Sequence, residues 1–144
     1  MKKQVLAVSL ASLMSIGTIG SVTAVNAEES DKTYTVGICQ LVQHEALDAA
    51  TQGFKDALTD ALGDAVTFEE KNAQGDSNTC STIINGLVSD NVDLILANAT
   101  ASLQAAAAGT TDIPILGTAV TDYGVALEID DFDGTVGGNI SGTS

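Results

Sequence analysis

The sequence contains no arginine and no tryptophan, one proline and one histidine, and only 3% of its residues are aromatic. Five basic side chains stand against 19 acidic ones, which gives a formal net charge of -14. Nucleic acids and anionic lipid surfaces both require clustered cations, so we exclude these two classes of partner. The 144 residues, 44% of them apolar, suit one domain with an aliphatic core.

The N-terminus has the pattern of a secretory signal peptide. Lys2 and Lys3 precede an apolar run over residues 5–19, and small residues at 25–27 form a cleavage site. We predict a signal peptide over residues 1–27 and a mature tail over 28–33. The alternative is an uncleaved anchor, although the run is short for a membrane span, which needs about 20 apolar residues. The cleaved protein would be periplasmic or secreted, and without a lipid anchor because no cysteine lies at the cleavage site.

Two cysteines, Cys39 and Cys80, fall within the predicted mature chain. An exported protein can form a disulfide, so a bridge between them stays open. Cys39 lies in a predicted strand and Cys80 on a predicted helix face, which favours two independent small core residues. With a single histidine and distant cysteines, the sequence has no metal-ligand spacing, and we expect no metal.

Strand and helix patterns alternate along the mature chain. Apolar residues recur every three or four positions over 47–61, which indicates an amphipathic helix closed by Gly63. Asp76 or Ser77 is predicted to cap the next helix. Four strands are predicted at 34–39, 65–68, 92–97 and 113–118, with helices around 47–61, 80–88 and 100–108. This βαβαβαβ order predicts an α/β, Rossmann-like parallel sheet with helices on both faces, over a lobe of residues 34–122.

Ligands of such sheets bind beyond the carboxyl ends of the strands. Nine residues there form the predicted ligand site: Gln40, His44, Asn98, Ala99, Thr100, Thr118, Ala119, Thr121 and Asp122. Small polar side chains and free N–H groups at helix starts attract a carboxylate, a role expected of Thr100 and Thr121. Gln40 and Asn98 would orient polar ligand atoms, with His44 at the edge of the site. Asp122 is either the partner of an ammonium group or a helix cap, and ordinary capping is the alternative for each of these residues.

The motifs of several enzyme classes are absent. No P-loop occurs, no G-x-G-x-x-G follows the first strand, and no serine lies in a nucleophile elbow. The glycines between 134 and 142 lack the preceding strand and following helix of a dinucleotide site. We therefore expect neither a cofactor nor catalysis, and the sequence favours a binding protein.

Several segments in order resemble the substrate-binding proteins of ABC transporters of the tryptophan/tyrosine-transport type. They are YTVGICQLVQHEALDAA (34–50), QGFK (52–55), NAQGD (72–76), VDLILA (92–97), IPI (113–115), TAVTD (118–122) and GGNISG (137–142). The resemblance implies a type I periplasmic-binding fold, in which two lobes close by a hinge on a small molecule. It further implies that the ligand is an amino acid, with aromatic amino acids among the candidates, or a related organic acid, and that ABC permease subunits are partners of a monomeric protein.

On this resemblance the chain corresponds to the first lobe, and residues 123–144 would lead to the hinge and a second lobe. The extracellular ligand-sensing domain of a receptor is an alternative function, because it can use the same fold. A transmembrane or kinase segment downstream would distinguish the sensor from the transport protein.

Overall fold

The computed structural model describes residues 32–144, so the predicted signal peptide and most of the predicted tail lie outside the described residues. Five strands and four α-helices are found in the described part of the chain. They are β1 (Tyr34–Gln40), α1 (Glu45–Leu62), β2 (Val66–Asn72), α2 (Ser77–Ser89), β3 (Leu94–Asn98), α3 (Thr100–Gly109), β4 (Ile115–Thr118), α4 (Tyr123–Ala126) and β5 (Ile140–Gly142), with a 3₁₀ turn at Gly63–Ala65.

The five strands form one parallel sheet in the order β2-β1-β3-β4-β5. The chain runs outward from β1 to β2 and then crosses back to β3 on the other side of β1. The reversal creates a switch point between β1 and β3, where doubly wound sheets leave a crevice outside the strand ends. The α/β parallel sheet expected from the sequence is confirmed.

Helices cover the sheet on both faces, as predicted. Val36, Ile38 and Leu96 point to one face, where they form a core with Phe54 and Leu58 of α1. Alternate residues point to the other face, where α2 and α3 supply the larger core. This core includes Cys39, Ile95, Ile84, Leu87 and Leu103, all almost completely buried. Because β1 and β3 are covered on both faces, their sequences are nearly continuous runs of apolar residues.

Local signals in the sequence explain where two helices begin and end. The Asp76 carboxylate accepts a hydrogen bond of 2.7 Å from the Thr79 N–H, so Asp76 is the predicted N-cap of α2. That hydrogen bond also holds the pKa of the exposed Asp76 below its usual value. Gly63 ends α1 with a positive φ of 55°, a conformation that glycine adopts without steric cost.

Two elements in the last 22 residues escape the sequence analysis. The described structure has a fifth strand, Ile140–Gly142, which pairs with β4, and a four-residue helix α4. The fifth strand has only three residues and follows two glycines, so it lacks the length and alternation that identify a strand. The strand predicted at 65–68 also extends to Asn72, because it pairs with β1 along the whole of its length.

Cys39 and Cys80 are free thiols with no exposed surface. Their sulfur atoms lie 3.7 and 3.6 Å from the Oγ of buried Ser102. Burial raises the pKa of Cys39 to about 12, although the hydrogen bond with Ser102 opposes this shift. Both cysteines are therefore unbridged core residues, in agreement with the favoured sequence interpretation.

A test of this packing uses two glycines in different environments. A methyl group added at Gly37 would lie 2.8 Å from the Leu87 side chain, whereas one added at Gly53 in α1 meets open space. We expect Gly37→Ala to destabilise the protein by about 1–3 kcal/mol through overpacking. The control Gly53→Ala should stabilise it by about 0.5–1 kcal/mol, because alanine is the better helix former. Urea unfolding followed by circular dichroism measures both, and unchanged stability of Gly37→Ala would contradict the packing of β1 on α2.

Candidate ligand-binding site

The carboxyl ends of three neighbouring strands bring part of the predicted site together. Gln40 of β1 is in register with Asn98 of β3, and Asn98 is in register with Thr118 of β4. The three residues therefore lie side by side at the switch-point edge of the sheet. The sequence prediction that the three segments meet at one edge is confirmed at these positions.

Gln40 and Asn98 are joined by a buried hydrogen-bond network that includes Thr51 of α1. Asn98 Nδ2 donates to Thr51 Oγ1 at 2.9 Å and to the Leu47 carbonyl at 2.8 Å. Thr51 Oγ1 in turn donates to Gln40 Oε1 at 2.7 Å. Gln40 Nε2 donates to Asp48 Oδ1 at 2.6 Å and to the Val42 carbonyl at 2.9 Å. The network fastens the first half of α1 to the ends of β1 and β3.

These bonds give Gln40 and Asn98 a structural role at the edge. Both amide nitrogens and the Gln40 oxygen are bound within the protein, and both residues are at most 3% exposed. Among the described residues, Asn98 Oδ1 is the buried side-chain acceptor without a hydrogen-bond partner. Direct contact of these two residues with ligand stays a prediction, and such contact requires ligand to compete with the network.

Two alanines at the same edge have positive φ angles. Ala99 has φ 87° and ψ 160°, a region that residues other than glycine rarely occupy, and Ala119 has φ 53°. The Ala99 N–H continues the ladder to the Thr118 carbonyl at 2.9 Å, and the chain then turns sharply into α3 at Thr100. Because the first intrahelical bond of α3 comes from Leu103, the N–H groups of residues 100–102 have no carbonyl one turn before them in the helix.

The remaining predicted site residues lie at helix starts. His44 is the N-cap of α1, and its Nδ1 accepts from the Ala46 N–H at 3.2 Å. Asp122 is the N-cap of α4, with Oδ1 at 3.0 Å from the Val125 N–H. Thr121 is exposed and Thr100 is half-buried, so solvent reaches both. Asp122 and His44 therefore cap helices in the structure, which is the alternative role considered for them. Their contact with ligand stays a prediction.

Thr51 is the member of this region that sequence reasoning missed. It lies in the helical stripe of Leu47, Phe54 and Leu58, one and two turns away, which faces the sheet. A threonine in such a buried stripe must find a hydrogen-bond partner, because an unpaired buried hydroxyl is costly. A polar residue in an otherwise apolar helical stripe was therefore the sequence signal that could have identified Thr51.

An open depression of about 610 Å³ lies beside the network. Its lining is mostly amide and carboxylate side chains: Gln40, Val42, Gln43, Asp48, Glu70, Asn72 and Gln74. Within residues 32–144, no group of three or more His, Cys, Asp and Glu side chains could hold a metal ion. Over the same residues no helix has the length and apolar character needed to cross a membrane.

A Rossmann-like sheet with helix N-termini at its switch point is an arrangement at which open α/β sheets commonly bind small molecules. The family profile described as "ABC transporter substrate binding protein" matches residues 35–144. The chain therefore belongs to the family of ABC transporter substrate-binding proteins, as its resemblance implied.

Three proteins of known name or structure that are similar to this chain support the family assignment. The chain is 45% identical to the Tyrosine-binding protein of Clostridioides difficile (strain R20291), over 81% of this chain and 34% of that protein. It matches the ligand-free, open structure of a substrate-binding protein with adhesive properties from Clostridium difficile, with 43% identity and a TM-score of 0.71. It also matches an ABC domain from Streptococcus pneumonia in complex with L-Trp, with 31% identity and a TM-score of 0.71.

The two solved structures are also longer than this chain. Each match covers 78% of this chain and 39% of the solved chain. The chain thus spans about a third of the length of the curated relative and about two-fifths of the solved ones.

The role of Asp122 can be tested with two substitutions that separate its hydrogen bond from its charge. Asparagine caps helices about as well as aspartate, so Asp122→Asn should keep the stability of the protein. Asp122→Ala removes the acceptor and should cost about 1 kcal/mol. Urea unfolding measures both variants. Equal losses would mean that residue 122 contributes its charge rather than a cap.

Proposed function

We propose that this protein is the extracytoplasmic solute-binding component of an ABC importer and that its ligand is an aromatic amino acid. The observation that carries the proposal is the 45% identity to a protein named for binding tyrosine. The matched solved structure that holds L-Trp supports the same ligand class. The permease subunits of the importer are the proposed macromolecular partners.

In the proposed site the ligand carboxylate binds at the start of α3. Backbone N–H groups there point outward from the helix, and the helix dipole adds positive potential at the same end. The Thr100 hydroxyl lies at this point and Thr121 follows the adjacent strand β4. Together they supply neutral hydrogen-bond donors for an anion, which is the chemistry the sequence analysis assigned to them.

The cleft between two lobes is the proposed binding mode. The chain matches about a third of its curated relative, so the second wall of the cleft would come from another part of the complete protein. Enclosure matters because binding pockets bury about 70–90% of a small ligand, which a single sheet edge cannot do. Ligand would then bridge the lobes and favour the closed form by hinge motion, and the closed form would dock on the permease.

Export is part of the same proposal. A signal peptide over residues 1–27 would be removed near Ala27, leaving a monomeric protein without a lipid anchor in the periplasm or the medium. This placement suits a protein that captures solute before it reaches the membrane.

The ligand class can be tested on the protein expressed from its complete gene. Isothermal titration calorimetry should show binding of L-tyrosine or L-tryptophan. L-leucine is the control, because it has the same α-amino and α-carboxylate groups but an aliphatic side chain. The Clostridioides difficile relative, treated in the same way, is the positive control. Binding of L-leucine as tight as that of the aromatic amino acids, or no binding of either aromatic, would contradict the proposal.

A second experiment tests the carboxylate site. Thr100→Ala removes a hydroxyl at the start of α3, and a hydrogen bond to a charged group contributes about 1.5–3 kcal/mol, so affinity should fall roughly ten- to a hundredfold. Thr59→Ala, at an exposed position near the far end of α1, is the matched control and should bind as the wild type does. If Thr100→Ala keeps full affinity and a normal melting temperature, the carboxylate binds elsewhere.

A further inference from the structure

We infer that Thr51 is a positioning residue of the ligand site: its hydroxyl fixes the Gln40 side chain and, through it, the loop over residues 41–44. The inference rests on the proposed function for its ligand, and on the hydrogen bonds around Thr51 for its geometry. Thr51 itself is 3% exposed and lies beneath the sheet edge, so it acts through its neighbours rather than by touching ligand.

The direction of each hydrogen bond in the network is determined. Asn98 Nδ2 can only donate, so Thr51 Oγ1 accepts that bond and its single hydrogen is free for Gln40 Oε1. The Gln40 oxygen is thereby occupied, and its Nε2 must face the other way. There it donates to both the Val42 carbonyl and the Asp48 carboxylate. Three hydrogen bonds therefore fix the Gln40 amide, and the Thr51 hydroxyl supplies the one made to its oxygen.

The orientation of Gln40 determines the shape of the loop beside it. The bond to the Val42 carbonyl holds the centre of the 41–44 loop, and the Leu41 N–H is held by the Asn98 carbonyl at 3.1 Å. His44, the N-cap of α1, ends the loop. Gln40, Val42 and Gln43 line the 610 Å³ depression, so the network shapes a wall of the open edge.

Loss of the hydroxyl would act on this loop more than on the core. Valine has nearly the shape of threonine, so Thr51→Val keeps the packing of α1 on the sheet. Gln40 Oε1 would lose its buried donor, and the amide would be held only by the bonds of its Nε2 to the Val42 carbonyl and the Asp48 carboxylate. Asn98 would keep its bond to the Leu47 carbonyl. The change therefore loosens the Gln40 amide that supports the loop, while β1, β3 and α1 remain paired and packed.

The experiment compares Thr51→Val with Thr51→Ser, which keeps the hydroxyl, in the protein expressed from its complete gene. Hydrogen exchange measured by mass spectrometry should accelerate over residues 41–44 in Thr51→Val, and remain at the wild-type rate in Thr51→Ser. Affinity for L-tyrosine should fall about three- to tenfold in Thr51→Val, the effect of one hydrogen bond, and recover in Thr51→Ser. Thr59→Val, the same change at an exposed position of α1, should alter neither measurement.

A further variant keeps the test decisive if Thr51→Val folds poorly. Asp48→Ala removes the exposed acceptor of Gln40 Nε2 without disturbing the core, and it should also accelerate exchange over 41–44. Wild-type exchange over this loop in both Thr51→Val and Asp48→Ala would overturn the inference. So would wild-type affinity for L-tyrosine in a folded Thr51→Val protein.

The outcomes separate this inference from the proposed function. If the wild-type protein binds neither L-tyrosine nor L-tryptophan, the proposed ligand class is wrong, and the exchange rates alone decide whether Thr51 positions the loop. If the wild type binds, and Thr51→Ser matches it in both measurements while Thr51→Val does not, the positioning role is established.

Discussion

Pairing of β1 on both of its sides is the constraint on which the rest of the lobe depends. β2 and β3 both run parallel to it, and helices cover both faces of the strand. A strand in this position must be apolar on both faces, and Gly37 is the place where the Leu87 side chain approaches its backbone closely. The same pairing forces the chain to reverse direction around β1, and this reversal creates the crevice at its carboxyl end.

Two of the buried polar residues in the described part of the chain lie where β1 and β3 end. Gln40 and Asn98 are buried and in register, which would be costly without partners because buried amides must form hydrogen bonds. Thr51 of α1 supplies the link between them. The network thus satisfies the polar groups at the edge apart from Asn98 Oδ1, and it fixes α1 at the same time. Rigid support of this kind is what a binding edge needs, since ordering of loops on binding reduces affinity.

The sequence predicted the parts of this lobe whose pattern is local. Helical spacing identified α1, the Asp76 cap placed the start of α2, and apolar runs placed β1 and β3. Parallel order then implied that Gln40, Asn98 and Thr118 share one edge. The partners of Gln40 and Asn98 were not predicted: a polar residue in the apolar stripe of α1 pointed to Thr51, but its pairing with these two side chains depends on tertiary packing. The positive φ of Ala99 could not be predicted either, since an alanine in the sequence does not indicate that conformation.

The lack of arginine bears directly on how this lobe would hold the carboxylate of the proposed ligand. A carboxylate is most often held by a guanidinium, which forms two parallel hydrogen bonds with it. This chain contains none, and Lys55, the lysine of α1, is paired with Glu70 at 2.8 Å. In a chain of net charge -14, local hydrogen-bond donors help to offset the repulsion of a further anion. The start of α3, where N–H groups and the Thr100 hydroxyl converge, is where the described fold provides them without any basic side chain.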